Sequence, residues 1–114
     1  MSTTADNLDR HLPLSEAGFY IMALLAEPRH GYAVMQETTA LTGGQVTIGP
    51  GTLYGALTTL ERENLIEFVA EAQRRKSYRL TARGRAVLTR QLVRLHLMVN
   101  VAAQLGLDPQ PEAM

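Results

Sequence analysis

The densest cationic stretch of the chain is Arg74-Arg75-Lys76, and Arg79 follows three residues later. Guanidinium and ammonium groups are the usual protein ligands of phosphate oxygens. The formal net charge is zero, yet residues 67–85 hold six bases against two acids, whereas residues 1–45 hold two bases against five acids. Phosphate contact depends on the local field and not on the sum over the chain. The stretch therefore predicts a surface for a nucleic acid.

A second set of polar groups lies on a predicted helix over residues 51–63. The apolar side chains Leu53, Ala56, Leu57 and Leu60 share one face, whereas Thr52, Gly55, Thr59 and Arg62 follow helical spacing on the other. A helix that enters the DNA major groove needs a thin outer face that forms hydrogen bonds and lacks carboxylates. The start of the helix also leaves backbone N–H groups free for a phosphate oxygen. The predicted DNA contacts on this helix are Pro50, Gly51, Thr52, Tyr54, Thr58 and Thr59.

Few residues of the chain are of the type and spacing that catalysis or metal binding requires. The chain has no cysteine, which excludes thiolate ligands, thiol nucleophiles and disulfides. His11, His30 and His96 lie far apart, with no second ligand at helical spacing, and no nucleophile stands beside a base. We therefore expect no enzyme activity, cofactor or metal, and we expect His30 to be a turn residue that contacts the DNA backbone.

The predicted elements are three helices, a hairpin and a long last helix. Helices are expected over residues 16–26, 32–41, 51–63 and 82–105, with a turn at 27–31 and a short strand at 46–48. Strands are expected over 65–70 and 77–80, joined by a connection at 72–76 with the basic residues at its tip. Three helices followed by a hairpin are the order of a winged helix-turn-helix. The fold class is thus mainly α (α+β), with an added C-terminal helix.

Composition and patterning divide the chain into four parts. We expect a disordered N-terminus at 1–11, the winged helix-turn-helix at 12–81, a dimerisation helix at 82–106 and a flexible tail at 107–114. The longest apolar run, residues 19–26, is too short for a bilayer, and no secretory signal is visible. We therefore expect a cytoplasmic protein without a membrane partner.

The last helix carries an apolar seam with heptad spacing, which is typical of a coiled-coil dimer. The first helix is apolar almost all round and needs cover on more than one side. A cavity between two subunits could hold a small hydrophobic effector, bordered by Leu95, Met98 and Val99 together with Tyr20. The residues predicted to form the dimer are Tyr20, Leu88, Leu92, Leu95, Val99 and Ala102.

Three stretches resemble the PadR family of bacterial regulators, at similar spacing and over about residues 14–105. They are His30-Gly31-Tyr32; Gly51-Thr52-Leu53-Tyr54-Gly55-Ala56-Leu57 with Leu60-Glu61 and Leu65-Ile66; and Arg74-Arg75-Lys76-Ser77-Tyr78-Arg79-Leu80-Thr81 with Gly84. Gly55 and Asn64 stand where the family often has proline and glycine. The resemblance implies a homodimer joined through the C-terminal helix, which represses transcription at a pseudo-palindromic operator until a small ligand or stress signal intervenes.

Other interpretations of the same residues stay open. The cationic tip could merely protect a sheet edge from aggregation, and the threonines could form an ordinary solvated helix face. Phe68 and Tyr78 are expected in the core, because single-stranded nucleic-acid binders need a row of exposed aromatics. The seam of the last helix could pack within one chain. The alternative function is a winged-helix module that binds a protein and not DNA.

Overall fold

The structure is a computed structural model that describes residues 8–107 and 109. Residues 1–7, 108 and 110–114, which include most of the predicted disordered N-terminus and flexible tail, lie outside the described residues. The main elements of the described residues are four helices and three strands, in the order α1 (Glu16–Leu24), β1 (Arg29–His30), α2 (Gly31–Leu41), α3 (Pro50–Arg62), β2 (Ile66–Ala72), β3 (Arg75–Leu80) and α4 (Ala82–Gln104).

Helix α1 lies at the centre of the core. The side chain of Ser15 caps it by accepting a hydrogen bond from the Gly18 N–H at 2.9 Å, as its position before the helix predicts. Ile21 and Met22 are completely buried, and helices α2, α3 and α4 all contact α1. Packing against the other helices of the same chain therefore covers most of the apolar surface of α1.

The sheet contains a strand that the sequence analysis missed. β1 pairs antiparallel with β3, with Arg29 opposite Tyr78 and His30 opposite Ser77, so the sheet order is β1-β3-β2. A two-residue strand of charged side chains has no alternation by which to detect it, which is why a plain turn was expected at 27–31. The strand expected at 46–48 is wrong, because this segment forms no ladder and instead buries Ile48 in the core.

Helix α3 begins at Pro50, whose fixed φ suits the first helical turn, and it ends before Asn64, whose φ is 63°. Leu53, Leu57 and Leu60 are buried, which confirms the predicted apolar face.

The hairpin β2–β3 is longer and tighter than expected. Its strands extend to Ala72 and from Arg75, so the connection is the two residues Gln73 and Arg74 and not the segment 72–76. The pairing shifts by one residue between Phe68 and Ala70, which places a bulge there. The core position predicted for Phe68 is wrong, since its side chain is 47% exposed and its ring contacts Tyr78 edge-on at 6.2 Å between centroids.

Helix α4 has a packed first half and an open second half. The Thr81 hydroxyl caps it by accepting a hydrogen bond from the Gly84 N–H at 3.0 Å. Val87 is completely buried, and the buried Gln91 side chain accepts a hydrogen bond from the Leu14 N–H at 2.9 Å. Beyond Gln91 most side chains of α4 are exposed, including many apolar ones.

Residues 8–11 are packed against the domain, which corrects the prediction of disorder for this part of the N-terminus. Leu8 is buried in the core. Asp9 pairs with Arg90 of α4 at 2.9 Å, and Arg10 pairs with Glu63 at the end of α3 at 2.8 Å. A polar, aperiodic sequence did not reveal these partners, because each lies more than 50 positions away in the chain.

Candidate nucleic-acid interface

The hairpin tip and helix α3 meet at one side of the domain. They enclose, together with the start of α2, a cleft of about 430 Å³. The structure thereby brings together Tyr54 from α3, His30 from β1 and the cationic residues of the hairpin, which lie far apart in sequence. The residues that line the cleft are His30, Gly31, Tyr32, Tyr54, Arg74, Arg75, Lys76 and Tyr78.

Close approach of α2 to α3 depends on Gly31. This residue is buried, and a Cβ placed on it would lie 3.0 Å from Leu53 Cδ2 and 3.3 Å from Tyr54 Cε1. A larger residue would therefore push on both the core side chain and the cleft side chain of α3.

The outer face of α3 is exposed and carries the residues that the sequence analysis selected. Tyr54 lies on the flank that faces the hairpin, whereas Thr59 lines a separate groove of about 300 Å³ beside α1. The Thr58 hydroxyl donates a hydrogen bond to the Tyr54 carbonyl at 3.0 Å, which leaves its oxygen free to accept another. The exposed predicted residues of this helix are Pro50, Gly51, Thr52, Tyr54, Thr58 and Thr59.

The start of α3 has no side-chain cap. Its N-cap is Gly49, and Pro50 has no N–H to satisfy. The N–H groups of the first turn are therefore open to a partner outside the chain, and the positive end of the helix dipole favours an anionic one.

The cations of the hairpin differ in what they contact. Arg79 pairs with Glu67 on the neighbouring strand at 2.8 Å, so its charge is partly offset. In the described part of the chain, none of the four ion pairs includes Arg74, Arg75 or Lys76. These three side chains are exposed and keep their charge for an outside partner.

His30 is the N-cap of α2, and its Nδ1 accepts a hydrogen bond from the Ala33 N–H at 3.3 Å. In the neutral ring the proton then lies on Nε2, which makes that nitrogen a donor. His30 is half-buried and lines the cleft, where a donor suits a phosphate oxygen.

Two site residues were missed by the sequence analysis. Tyr32 stands in the first turn of α2, and the guanidinium carbon of Arg75 lies 5.5 Å from the centroid of its ring. Arg62 is exposed at the last turn of α3, on the side away from the buried leucines. The available signals were the helical spacing of Arg62, which places it on the outer face, and the position of Tyr32 directly after His30-Gly31.

A polar cluster ties the N-terminal segment to both α3 and α4. An Arg83 guanidinium nitrogen lies 3.1 Å from His11 Nε2 and donates to it in the neutral ring. Burial lowers the pKa of the His11 imidazole below its ordinary value, and the nearby Arg10 and Arg83 lower it further, which agrees with a neutral ring. The hydrogen bond and charge of Arg10 lower the pKa of the Glu63 carboxyl. These groups are engaged with one another and hold the segment in place.

The residues of α4 that were predicted for dimerisation fall into two groups, whereas Tyr20 lies on α1. Leu88 packs against the core, and Leu95 and Ala102 are half-buried. Leu92 and Val99 are exposed, and further exposed apolar residues that the seam did not include widen the surface. These additional residues are Val93, Leu97, Met98, Val101 and Leu105.

A groove of about 360 Å³ between α1 and α4 contains part of the predicted effector site. Tyr20, Leu95 and Met98 line it together with Phe19 and Gln91, whereas Val99 is not among its lining residues. The Phe19 and Tyr20 rings meet edge-on, with 5.5 Å between centroids. Most of the lining is apolar, and its polar side chains are Ser15, Glu16, Tyr20 and Gln91.

The described helices and strands contain no helix long and apolar enough to cross a membrane. Across residues 8–107 no group of three or more histidine or carboxylate side chains is placed to hold a metal ion.

Helices α1 to α3, the antiparallel sheet and the hairpin beside α3 define a winged helix-turn-helix protein, as predicted. Residues 21–90 match the transcriptional regulator PadR-like family, which is more than half of the 114 residues, so the chain belongs to this family. The predicted resemblance is confirmed, and the family to which the chain belongs is one of transcriptional regulators.

Three similar proteins illustrate the relationship. An uncharacterized 37.1 kDa protein in transposon TN4556 of Streptomyces fradiae is 36% identical over 99 residues, which cover 86% of this chain and 27% of that protein. Protein X of Lysinibacillus sphaericus is 34% identical over 70 residues, which cover 58% of this chain and 64% of that protein. The chain therefore spans only part of each relative. A PadR-like transcription factor from Bacteroides fragilis superposes with a TM-score of 0.68 at 25% identity, covering 88% of this chain and 99% of that one.

Proposed function

We propose that the protein is a sequence-specific DNA-binding regulator that acts as a homodimer in the cytoplasm and represses transcription until a small ligand or stress signal intervenes. The observation that carries this proposal is the close approach of α3 and the hairpin. Tyr54 on the exposed face of α3 and the exposed cations Arg74, Arg75 and Lys76 border one cleft. That arrangement suits a helix in the major groove with a cationic hairpin on the adjacent backbone.

The outer face of α3 favours DNA over a protein partner. Its middle carries glycine and threonine, and its basic residue, Arg62, is exposed near the end. Thr52, Tyr54 and Thr58 are assigned to base edges and nearby phosphates, and the open first turn at Gly51 is assigned to a phosphate oxygen. Arg79 is assigned a weaker contact, because Glu67 already offsets its charge.

A dimer formed through α4 would present two copies of this surface. Twofold symmetry of the protein then calls for a pseudo-palindromic operator with half-sites about 10 base pairs apart, one turn of the duplex. The exposed apolar residues of α4 support this assembly, since such a surface on a small domain marks an interface.

The groove between α1 and α4 is the proposed effector site. Its mostly apolar lining fits a small hydrophobic molecule, with Tyr20 and Glu16 at the edge to orient one polar group. Crystals soaked with hydrophobic ligands test this assignment. Ligand density in the groove supports it, and ligands bound exclusively elsewhere overturn it.

The DNA-binding proposal is tested by replacing Arg74, Arg75 and Lys76 together with alanine. We expect weaker binding to all duplexes and a log–log salt dependence flatter by up to about 3 units per subunit, because each phosphate contact releases roughly 0.9 counterion. Fluorescence anisotropy against salt concentration measures both quantities. The control replaces Arg94 of α4 with alanine, which removes a positive charge away from the cleft. An unchanged slope in the triple variant would exclude the hairpin from binding.

A further inference from the structure

Tyr32 occupies a position that core packing does not explain. It lies in the first turn of α2 and is 49% exposed, although large aromatic side chains gain most from burial. Its ring lines the cleft between α3 and the hairpin. An exposed ring beside the cationic tip therefore calls for a role outside the core.

The backbone places Tyr32 beside Arg75. In the β1–β3 ladder Arg29 lies opposite Tyr78 and His30 opposite Ser77. The ladder ends at His30, and Tyr32 follows two residues later in the first turn of α2, so the pairing of β1 with β3 brings the start of α2 close to β3. The 5.5 Å between the Arg75 guanidinium carbon and the ring centroid is a cation–π distance. The contact therefore lies directly beside the paired strands, at the point where α2 begins.

An aromatic ring and a carboxylate hold an arginine side chain in different ways. Arg79 is paired with Glu67, which offsets its charge, whereas the residue opposite Arg75 in the β2–β3 ladder is Ala72. The Tyr32 ring restricts the Arg75 side chain but leaves its N–H donors unsatisfied and its charge intact. A side chain that is ordered before binding loses less conformational entropy when a phosphate arrives.

We propose that Tyr32 is a positioning residue that holds Arg75 at the mouth of the cleft, ready for a backbone phosphate of DNA. This inference rests on the proposed DNA-binding function and assigns within it a role to a side chain that itself contributes no charge. The tyrosine hydroxyl is not required for that role, whereas the ring is.

A double-mutant cycle tests the proposal on the full chain with a fluorescein-labelled duplex of mixed sequence. Tyr32→Phe keeps the ring and is expected to bind DNA like the original protein. Tyr32→Leu removes the ring and is expected to weaken binding by about two- to tenfold, the range that corresponds to ordering one more flexible side chain on binding. In an Arg75→Ala background, Tyr32→Leu should have no further effect, and in the matched Lys76→Ala background it should keep its full effect.

The salt dependence separates positioning from charge. Tyr32→Leu should leave the log–log slope unchanged, because every cation is still present, whereas Arg75→Ala should lower it by about 0.9 per subunit. Thermal unfolding of each variant reports any loss of stability. Equal losses from Tyr32→Phe and Tyr32→Leu, or a Tyr32→Leu effect that persists without Arg75, would overturn the positioning role. Failure of the unsubstituted protein to bind any duplex would instead overturn the proposed function.

Discussion

Gln73 and Arg74 form the two-residue turn of the hairpin, and their φ angles are 54° and 67°. Turns with positive φ at both central residues favour asparagine and glycine, because a Cβ is strained there by about 1–2 kcal/mol. The chain instead has an amide and a guanidinium at these positions. Strain of this kind is found at functional sites, where a side chain is needed that the backbone alone would not select. At the scale of single residues, the hairpin tip thus supports a binding role for Arg74.

Replacing Arg74 with glycine should separate stability from binding. We expect the free energy of unfolding to rise by about 1 kcal/mol as the strain is released, and DNA affinity to fall because one phosphate contact is lost. Chemical denaturation and anisotropy measure the two effects. Gln73→Gly is the matched control, since it relieves similar strain without removing a charge. Arg74 would have no role in binding if both variants held DNA equally well.

At the scale of elements, the junction of α3, β2 and α4 determines how the hairpin leaves the domain. The Leu65 carbonyl accepts a hydrogen bond from the Thr81 N–H at 3.1 Å, and the Thr81 hydroxyl donates to the Asn64 carbonyl at 2.7 Å. Gly84 packs directly over this junction, where a Cβ would lie 2.0 Å from the Leu65 oxygen. Because the obstacle is backbone, a rotamer change cannot relieve the contact.

Gly84→Ala should therefore destabilise the fold by about 1–3 kcal/mol, the usual range for overpacking a close contact. Gly55→Ala is the contrasting variant, because nothing lies within 4 Å of the point where a Cβ would stand on this exposed face of α3. The free energy of unfolding of that variant should rise by up to about 1 kcal/mol, because alanine has a higher helix propensity than glycine. Urea denaturation gives both values. If both variants raised or both lowered the free energy of unfolding, this account of the junction would be contradicted.

At the scale of the whole molecule, the second half of α4 leaves an apolar surface that this chain does not cover. Val99 is 63% exposed, and Leu92 lies on the same seam. The predicted heptad seam is part of a broader surface that includes Leu97 and Val101, which is more than a two-stranded coiled coil requires. A partner subunit that covers this surface with more than one helix would account for its width.

Changing Leu92 and Val99 to glutamate should convert the proposed dimer into a monomer, because the interface would then bury unpaired charges. Operator affinity should fall by about 10²-fold or more, since two linked half-sites gain that much from effective concentration. Analytical ultracentrifugation and gel shift measure the two outcomes. Leu41→Glu alters an exposed leucine on α2, away from α4, and should leave the mass of the dimer unchanged. A double variant that stays dimeric would place the interface elsewhere.

The sequence by itself determined the helices, the hairpin and the family. Caps at Ser15 and Thr81 and the buried face of α3 are local signals, because helical periodicity is visible within a few turns of chain. The cationic tip was likewise evident from a run of basic residues, and the polar face of α3 from the helical spacing of its residues. What the sequence could not reveal was which of these groups meet.

The tertiary structure alone decided those pairings. β1 forms because it pairs with β3, and this pairing brings Tyr32 at the start of α2 close to Arg75. Arg79 is partly neutralised because Glu67 lies opposite it. Each contact joins residues 12 or more positions apart, where local propensity carries no information. The free energy of such pairings depends on the packed geometry of the whole domain, and a one-residue bulge suffices to redirect a side chain.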